Sequence, residues 1–443
     1  MSEGPIAKIA EVNPPLPRYV APDEMVSFLR MQDVSENGGI IGGSEAPFWK
    51  VANGFTRFAE GDALFAKITP CMENGKGALA LELTNGIGCG STKFHVLRAK
   101  DDNSGPFIYQ VLQSKEYRQA AQMQMSGSAG QQRVQSEFFR RHQIHIPPPP
   151  QQRRIAAILT TLDEVIEATE NLVEKHQQIK AGLMHDLFTR GLWTRPELAR
   201  GDHHGLPCEA TAQEGQLRPT PEEAPGLYQN SPLGLIPKAW KAELLDVLAK
   251  RGSGHTPNRH TPNFWDGGIK WVSLADSSNL DQLYISETEK EISLLGIENS
   301  SAVLHPAGIV VLSRDAGVGK SAITTCPMAV SQHFMCWLCG PELDNHYLYY
   351  WLQDQKRVFE NISTGTTIPT IGLGFFRRYK IAVPTDMDEQ QKIRASLLSS
   401  DETLFALQND LAKLRHQKQG LMLDLLTGRV RVNCLNQEPT EVS

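Results

Sequence analysis

The chain has little of what a membrane or secreted protein needs. No apolar run among its 443 residues approaches the roughly 20 that a membrane span requires, and the opening MSEGPIAKIAEVNPP lacks the apolar core of a signal peptide. These features point to a cytoplasmic setting with no membrane partner. Cysteine is sparse and odd in number, seven scattered residues without a framework, which fits buried thiols in a reducing compartment. Positive charge is not in surplus either: 44 Lys and Arg stand against 50 Asp and Glu, a net charge of −6. Residues 1–150 hold 15 of each sign. A nucleic-acid surface, if there is one, is therefore a local patch and not a global field.

Catalytic motifs are also missing. There is no nucleophile elbow, no HExxH and no methyl-transfer signature, so the sequence shows no active site of its own. Gly317-Val318-Gly319-Lys320-Ser321 has the end of a phosphate-binding loop, but the glycine required five residues before Gly319 is Arg314. Ala322–Thr325 then reads as strand, which leaves no helix N-terminus to hold a phosphate. Cys336 and Cys339, near His333, fall short of the four ligands of a structural zinc site, and residues three apart on a strand point to opposite faces. The chain is thus expected to bind neither metal nor cofactor.

What the sequence does contain is a repeat. Residues 151–188 form a long charged helix pattern behind the tetraproline Pro147–Pro150, and the pattern returns between Gln390 and Leu426. Two columns at a spacing of seven run through Ile155, Leu162, Thr169, His176 and Leu183, and through Leu159, Ile166, Val173, Lys180 and Leu187. Adding 238 gives Ile393, Ser400, Leu407, Leu414 and Leu421, and Leu397, Leu404, Leu411, Lys418 and Leu425. Sustained heptads mean a coiled-coil seam. Each copy of about 37 residues makes a rod of roughly 55 Å and needs a partner to cover its stripe, with Lys180 and Lys418 snorkelling at the seam edge.

Each helix follows a globule. Residues 1–147 read as strands at Met25–Leu29, Asp62–Ile68, Gly77–Leu83, Phe94–Arg98 and Gln143–Ile146, with one helix over Pro106–Gln124. Residues 231–385 read as strands at Ile269–Leu274, Gly308–Ser313 and Phe334–Leu338, with one helix over Asn345–Phe359. Phe138-Phe139-Arg140-Arg141 falls on Phe375-Phe376-Arg377-Arg378 at an offset of 237. Globule and rod are duplicated together, which makes the fold class α+β: two similar mixed domains (1–147 and 231–385), two long helices (148–192 and 386–430) forming an antiparallel coiled coil, and a pseudo-twofold internal repeat. Residues 193–230, rich in Pro, Gly, Glu and His pairs including His203 and His204, read as a linker, and 431–443 as a polar tail.

Polar and basic residues at loop positions are the remaining candidates for function. In the first globule these are Lys67, Asn74, Lys76, Ser91, Thr92, Lys93, Gln131, Gln132 and Arg133. In the second they are Ser313, Arg314, Lys320, Ser331, Gln332, His333, Thr364, Thr366, Arg377 and Arg378. Gln, Asn and Arg read adenine and guanine edges, while Lys, Ser and backbone N–H groups hold phosphates. One such residue alone is as well explained by a solvated surface. As sets at matching points of both globules, they favour DNA.

Several stretches carry a resemblance: EGDALFAKITPCMENGKGALA (Glu60–Ala80), PAGIVVLSRDAGVGKSAI (Pro306–Ile323), GLIPKAWK (Gly234–Lys241), the strand-Pro-QQ-helix junctions, and GLMxDLxT at Gly182–Thr189 and Gly420–Thr427. Together they resemble the specificity subunits of type I restriction-modification enzymes, over nearly the whole chain outside the linker and tail. The resemblance implies two target recognition domains held apart by an antiparallel helix pair, each reading one half of a bipartite, asymmetric site in double-stranded DNA. It also implies that two methyltransferase (modification) subunits dock on the chain, bind S-adenosylmethionine and methylate adenine, and that restriction and translocase subunits join them. The specificity subunit itself is then non-catalytic and carries no cofactor. The sequence departs from the pattern in that its first domain begins almost at residue 1, without the Trp-containing lead-in seen at Ile236–Trp240. The competing expectation is a coiled-coil adaptor that binds only proteins and has no salt-dependent DNA affinity.

Overall fold

The computed structural model describes residues 2–36, 38–128, 131–201, 213–363 and 369–432. The chain divides into two compact units, Met1–Leu172 with Leu407–Ser443, and Val173–Ala406. Each unit therefore holds one globular domain and a stretch of both long helices. No helix among the described residues is long and apolar enough to cross a membrane.

The first domain runs β1 (Ser2–Pro5), β2 (Ala10–Val12), β3 (Met25–Leu29), β4 (Ser44–Pro47), α1 (Phe48–Val51), β5 (Thr56–Ala59), β6 (Ala63–Ala66), β7 (Gly77–Leu79), β8 (Ile87–Gly90), β9 (Phe94–Ala99), α2 (Gly105–Gln113), α3 (Lys115–Met123), α4 (Ser136–Arg141) and β10 (Gln143–Ile146). The first long helix, α5 (Pro149–Thr189), follows. One sheet has the order β2-β9-β6-β7 and a second the order β4-β3-β8-β5, in which β3 and β8 are parallel. β1 and β10 form a separate antiparallel ribbon.

The second unit continues with α6 (Arg195–Arg200), β11 (Tyr228–Ser231), β12 (Gly234–Pro237), β13 (Trp240–Leu244), α7 (Leu245–Leu248), β14 (Ala249–Ser253), β15 (Trp265–Val272), β16 (Tyr284–Ile285), β17 (Glu291–Ile292), α8 (Leu294–Glu298), β18 (Leu304–His305), β19 (Val310–Ser313), β20 (Ser321–Thr324), β21 (Met328–Val330), β22 (Phe334–Cys339), α9 (Asn345–Asp354), α10 (Lys356–Ile362), α11 (Leu373–Phe376) and β23 (Lys380–Pro384). The second long helix, α12 (Met387–Leu426), closes the order. Its sheets are β14-β22-β19-β20-β16 and β17-β15-β21-β18, with parallel pairs β15-β21 and β16-β20, and there are antiparallel ribbons β13-β23 and β11-β12. Strand for strand this is the order of the first domain with β16 and the β11-β12 ribbon added. The duplication seen in the helix pattern thus extends to the sheets.

Two expected helices are each broken in two. Pro106–Gln124 is α2 and α3, because Ser114 is extended (ψ 141°) and its hydroxyl donates back to the Val111 carbonyl at 2.8 Å. Asn345–Phe359 is α9 and α10, which meet at Gln355 (φ −81°, ψ 3°). Both are local interruptions of a continuous apolar face, so periodicity passes over them. The first helix of each pair is capped from the preceding residue: Ser104 Oγ accepts from Phe107 N–H at 3.3 Å, and Asp344 Oδ1 from His346 and Tyr347 N–H at 2.8 and 3.0 Å.

Each domain completes its core on the ends of both long helices. In the first unit Phe65, Phe107 and Phe139 pack in one cluster with Ile155, Ala156 and Leu159 of α5 and Met422, Leu425 and Leu426 of α12. In the second, Trp240, Trp337 and Tyr347 cluster with Ile393 and Leu397 of α12 and Met184, Leu187 and Phe188 of α5. These helix residues correspond at the offset of 238. Burying side chains of this size contributes about 1.5–3 kcal/mol each, so the helix ends are part of each domain.

Two buried glutamines fix the helix entries in the same way. Gln152 accepts from Ser104 N–H at 3.0 Å and donates to Asn103 Oδ1 and the Pro147 carbonyl at 2.8 and 2.9 Å. Gln390, 238 residues on, accepts from Asp344 N–H at 2.9 Å and donates to the Glu342 and Pro384 carbonyls at 3.0 Å each. Along both helices the heptad columns are buried or half-buried throughout.

Lys180 and Lys418 are not solvated tips as expected. Within the first unit Lys418 pairs with Asp163, and Arg415 with Glu170 at 2.6 Å, so numbers rise on α5 as they fall on α12. Within the second, Lys180 pairs with Asp401 and lies 5.5 Å from the Tyr350 ring centroid. A carboxylate at the facing position draws each lysine inward.

Residues 193–201 and 213–230, within the stretch expected as a linker, carry structure. Beyond α6, Arg218 is 1% exposed and binds Glu389 at 2.6 and 3.0 Å and Glu197 at 2.6 and 3.1 Å. Glu389 also accepts from Trp240 Nε1 at 3.0 Å and Leu192 N–H at 2.8 Å. Burial alone opposes both charges. It raises the Glu389 carboxyl above its ordinary value, while Glu389 and Glu197 hold the Arg218 guanidinium up against it. The histidines His203 and His204, and the tail beyond residue 432, lie outside the described residues.

Candidate nucleic-acid interface

In the first domain three segments meet beyond the end of β6. Lys67 N–H donates to the Lys93 carbonyl at 2.9 Å, and the Lys67 carbonyl accepts from Val134 N–H at 2.8 Å. Thr69 N–H donates to the Gln132 carbonyl at 3.2 Å, and Ile68 and Arg133 form an antiparallel bridge. The loop after β6, the turn before β9 and the segment before α4 are thereby joined edge to edge. Behind them His95 is buried as a neutral ring: Nε2 donates to the Val134 carbonyl at 2.9 Å and Nδ1 accepts from Asn13 Nδ2 at 3.1 Å. Burial pulls its pKa down to about 4.

The second domain repeats the junction. Arg314 N–H donates to the His333 carbonyl at 3.0 Å, and the Arg314 carbonyl accepts from Ile371 N–H at 2.9 Å. Ala316 N–H donates to the Pro369 carbonyl at 3.3 Å, and Asp315 and Thr370 form the bridge. Six of the expected residues, Lys67, Lys93, Gln132, Arg133, Arg314 and His333, are thus brought to equivalent places.

The others divide. Gln131, Thr92 and Gln332 are exposed beside these junctions and Ser91 is half-buried; Gln332 accepts from the Thr256 hydroxyl at 2.5 Å. Asn74 donates to Glu36 Oε1 at 2.9 Å, Lys76 to the Met31 carbonyl at 3.2 Å and Lys320 to the Ser277 carbonyl at 2.9 Å, so each is tied to its own domain. Gly317 and Gly319 have φ of 111° and 87°, a turn that leads into β20. Arg377 and Arg378 are exposed at the end of α11. Ser313 and Ser331, at 0% and 1% exposure, are corrections to the expected surface: Ser313 ends β19 and Ser331 follows β21, strands buried on both faces, and the Ser313 hydroxyl donates to the Asp315 carbonyl at 2.7 Å. Thr364 and Thr366 lie outside the described residues.

Sequence reasoning missed Asp315. Its Oδ2 lies 2.8 Å from His333 Nδ1 and 3.6 Å from Arg314, which places a carboxylate among the expected cations. Its signal was its place next to Arg314 on the loop. Cys336 is buried with Sγ 3.5 Å from His305 Nε2, Cys339 is half-buried, and among the described residues no group of three or more His, Cys, Asp or Glu could hold a metal.

Two domains of one topology, each ending in a polar three-segment surface, define an internally duplicated protein. The model of the type I restriction modification DNA specificity domain matches residues 54–180 and 237–414, more than half of the chain, and the chain belongs to this family. It is 36% identical over 189 residues to the EcoAI specificity subunit of Escherichia coli, a match covering 41% of this chain and 32% of that subunit. To the HindI specificity subunit of Haemophilus influenzae it is 23% identical over 362 residues, 74% of this chain and 77% of that subunit. The chain thus spans about a third of the EcoAI subunit's length. In fold it is similar to a chain from a structure concerning complex assembly and conformational transition of the type I R-M system, with a TM-score of 0.56, 17% identity and coverage of 97% and 98%. It is likewise similar to the type I S subunit from M. genitalium, with a TM-score of 0.53, 13% identity and 96% of both chains covered.

Proposed function

We propose that this chain is the sequence-specific DNA-binding subunit of a type I restriction-modification complex, each domain reading one half of a bipartite asymmetric site. The observation that carries this reading is the recurrence of one three-segment junction at the same strand ends of both domains. Base-edge donors and cations stand there on backbone held by inter-segment hydrogen bonds, the rigidity that direct readout needs. The helices α5 and α12 pair as an antiparallel coiled coil about a pseudo-twofold axis. At 1.5 Å per residue they make a spacer of roughly 60 Å, longer than the ~34 Å of one DNA turn. The opposed numbering of their two ion pairs within the first unit supports that pairing.

In this reading the chain is non-catalytic and works in the cytoplasm. Two methyltransferase subunits dock on it and bring S-adenosylmethionine, and restriction and translocase subunits join them. Its own residues position the duplex, so that the target adenine meets the partner's active site once it is flipped out.

The test is methylation mapping by single-molecule sequencing of DNA from cells that express the chain with its neighbouring methyltransferase gene. A split, asymmetric, adenine-methylated motif that is lost when residues 231–385 are deleted is the expected result. A soluble complex that leaves no modified motif would favour the protein-only adaptor.

A further inference from the structure

The two recognition domains are built alike but charged unlike. In the first, Lys67 and Lys93 oppose each other directly beyond the β6-β9 ladder, and Arg133 bridges the neighbouring Ile68. Like charges opposed across strands cost stability. Among the described residues no carboxylate pairs with any of the three. Nearby carboxylates are engaged elsewhere: Glu73 accepts from the Thr69 hydroxyl at 2.8 Å and Glu36 from the Asn74 amide at 2.9 Å. Burial, then Arg133, hold the Lys67 ammonium below its ordinary pKa, as expected of a cation without a counter-ion. Further along the same domain Arg140 and Arg141 share one counter-ion, Glu137, at 3.7 and 2.9 Å.

The second domain reverses both choices. Asp315, where the first domain has Ile68, balances His333 and Arg314. Arg314 spends its remaining N–H groups on the Gln332 and Ile371 carbonyls at 3.2 and 3.3 Å. At the place of Glu137 stands Gly374, and exposed Arg377 and Arg378 make no ion pair among the described residues.

We propose that the two domains grip the DNA backbone at different points, the first through the junction cluster Lys67, Lys93 and Arg133, the second through Arg377 and Arg378. This rests on the DNA-reading function proposed above. An unpaired surface cation that meets a phosphate releases condensed counter-ions, while one already paired with a carboxylate releases few.

The experiment uses the full chain assembled with its methyltransferase, a duplex carrying the mapped site, and binding constants measured over a series of salt concentrations. The slope of log K against log salt should fall by about 1.8 in the double variant Lys93→Gln/Arg133→Gln, and by about 1.8 in Arg377→Gln/Arg378→Gln, at about 0.9 per phosphate contact. It should be unchanged in Arg140→Gln/Arg141→Gln. Asp315→Asn, which removes the carboxylate beside Arg314 and His333 while keeping the side chain's shape, should steepen it. The five arginines and Lys93 are all exposed, so thermal melts of these variants should not fall below that of the parent. Equal losses from the two arginine pairs, or no steepening in Asp315→Asn, would overturn the crossed arrangement while leaving DNA reading intact. A parent complex that binds no duplex overturns both.

Discussion

At the scale of single residues, the most consequential side chain lies where the sequence reads as linker. Arg218 is the shared counter-ion of Glu197 and Glu389, in a pocket closed by Trp240 and Trp193. Arg218→Met leaves two carboxylates buried without a counter-ion and should destabilise the second unit by about 3–5 kcal/mol; denaturant unfolding checks it, and a loss under 1 kcal/mol would mean that water reaches the site. His95 sets a pH dependence. Its folded pKa, about 4, lies below the ordinary value of 6.5, so the unfolded chain takes up a proton that the folded one refuses. The stabilising contribution is therefore complete above pH 6.5 and is lost progressively as pH falls from there towards 4. Melting of His95→Gln should be flatter than that of the parent across this window. The sequence offered residue types for a candidate interface but not their burial. Ser313 and Ser331 are buried because the strands that they end or follow are covered on both faces by other parts of the domain, and Asp315 gains its meaning only when His333 is brought beside it.

At the scale of elements, the long helices were the most legible part. A period of seven is a local property, and every column position turned out shielded from solvent. What the pattern could not give was the exchanged pairing, in which Lys180 of the first copy meets Asp401 of the second, and Lys418 of the second meets Asp163 of the first. These are equivalent contacts under the 238-residue offset. Lys180→Ala and Lys418→Ala should therefore cost similar amounts, each about 0.2–1 kcal/mol for a half-exposed pair, with double-mutant cycles locating the coupling on the named aspartates. Inserting one heptad at equivalent points of both helices adds about 10.5 Å. The methylated motif should then widen its gap by about 3 bp, taking ~34 Å per turn of 10 bp, with both halves unchanged. An unaltered gap would end the spacer reading. The breaks at Ser114 and Gln355 were invisible beforehand, since each lies within an unbroken apolar face.

For the molecule as a whole, duplication was readable from repeated words, yet the order of the sheets was not. The sequence carries strand propensity, but the pairing of β6 with β9 or β19 with β22 joins segments that are far apart along the chain. Because the two domains share topology but differ in surface charge, their reading should be modular. Exchanging residues 1–147 for another recognition domain should alter one half of the methylated motif and leave the other half and the gap as they were.

The placement of the helix ends also has a consequence for synthesis. The first domain's core requires Met422, Leu425 and Leu426, whereas the second takes Met184, Leu187 and Phe188, already made, and then Ile393 and Leu397. The part of the chain that leaves the ribosome first is thus the last to be finished. At about 5–20 residues per second, the ~234 residues between Phe188 and Met422 correspond to a delay of roughly 12–50 s in which a half-built core stays exposed. Ribosome-bound chains arrested before Met422 should accordingly be cut by protease within residues 1–147 and spared within the second domain, and equal resistance of both would show that the first domain closes without its late-arriving helix.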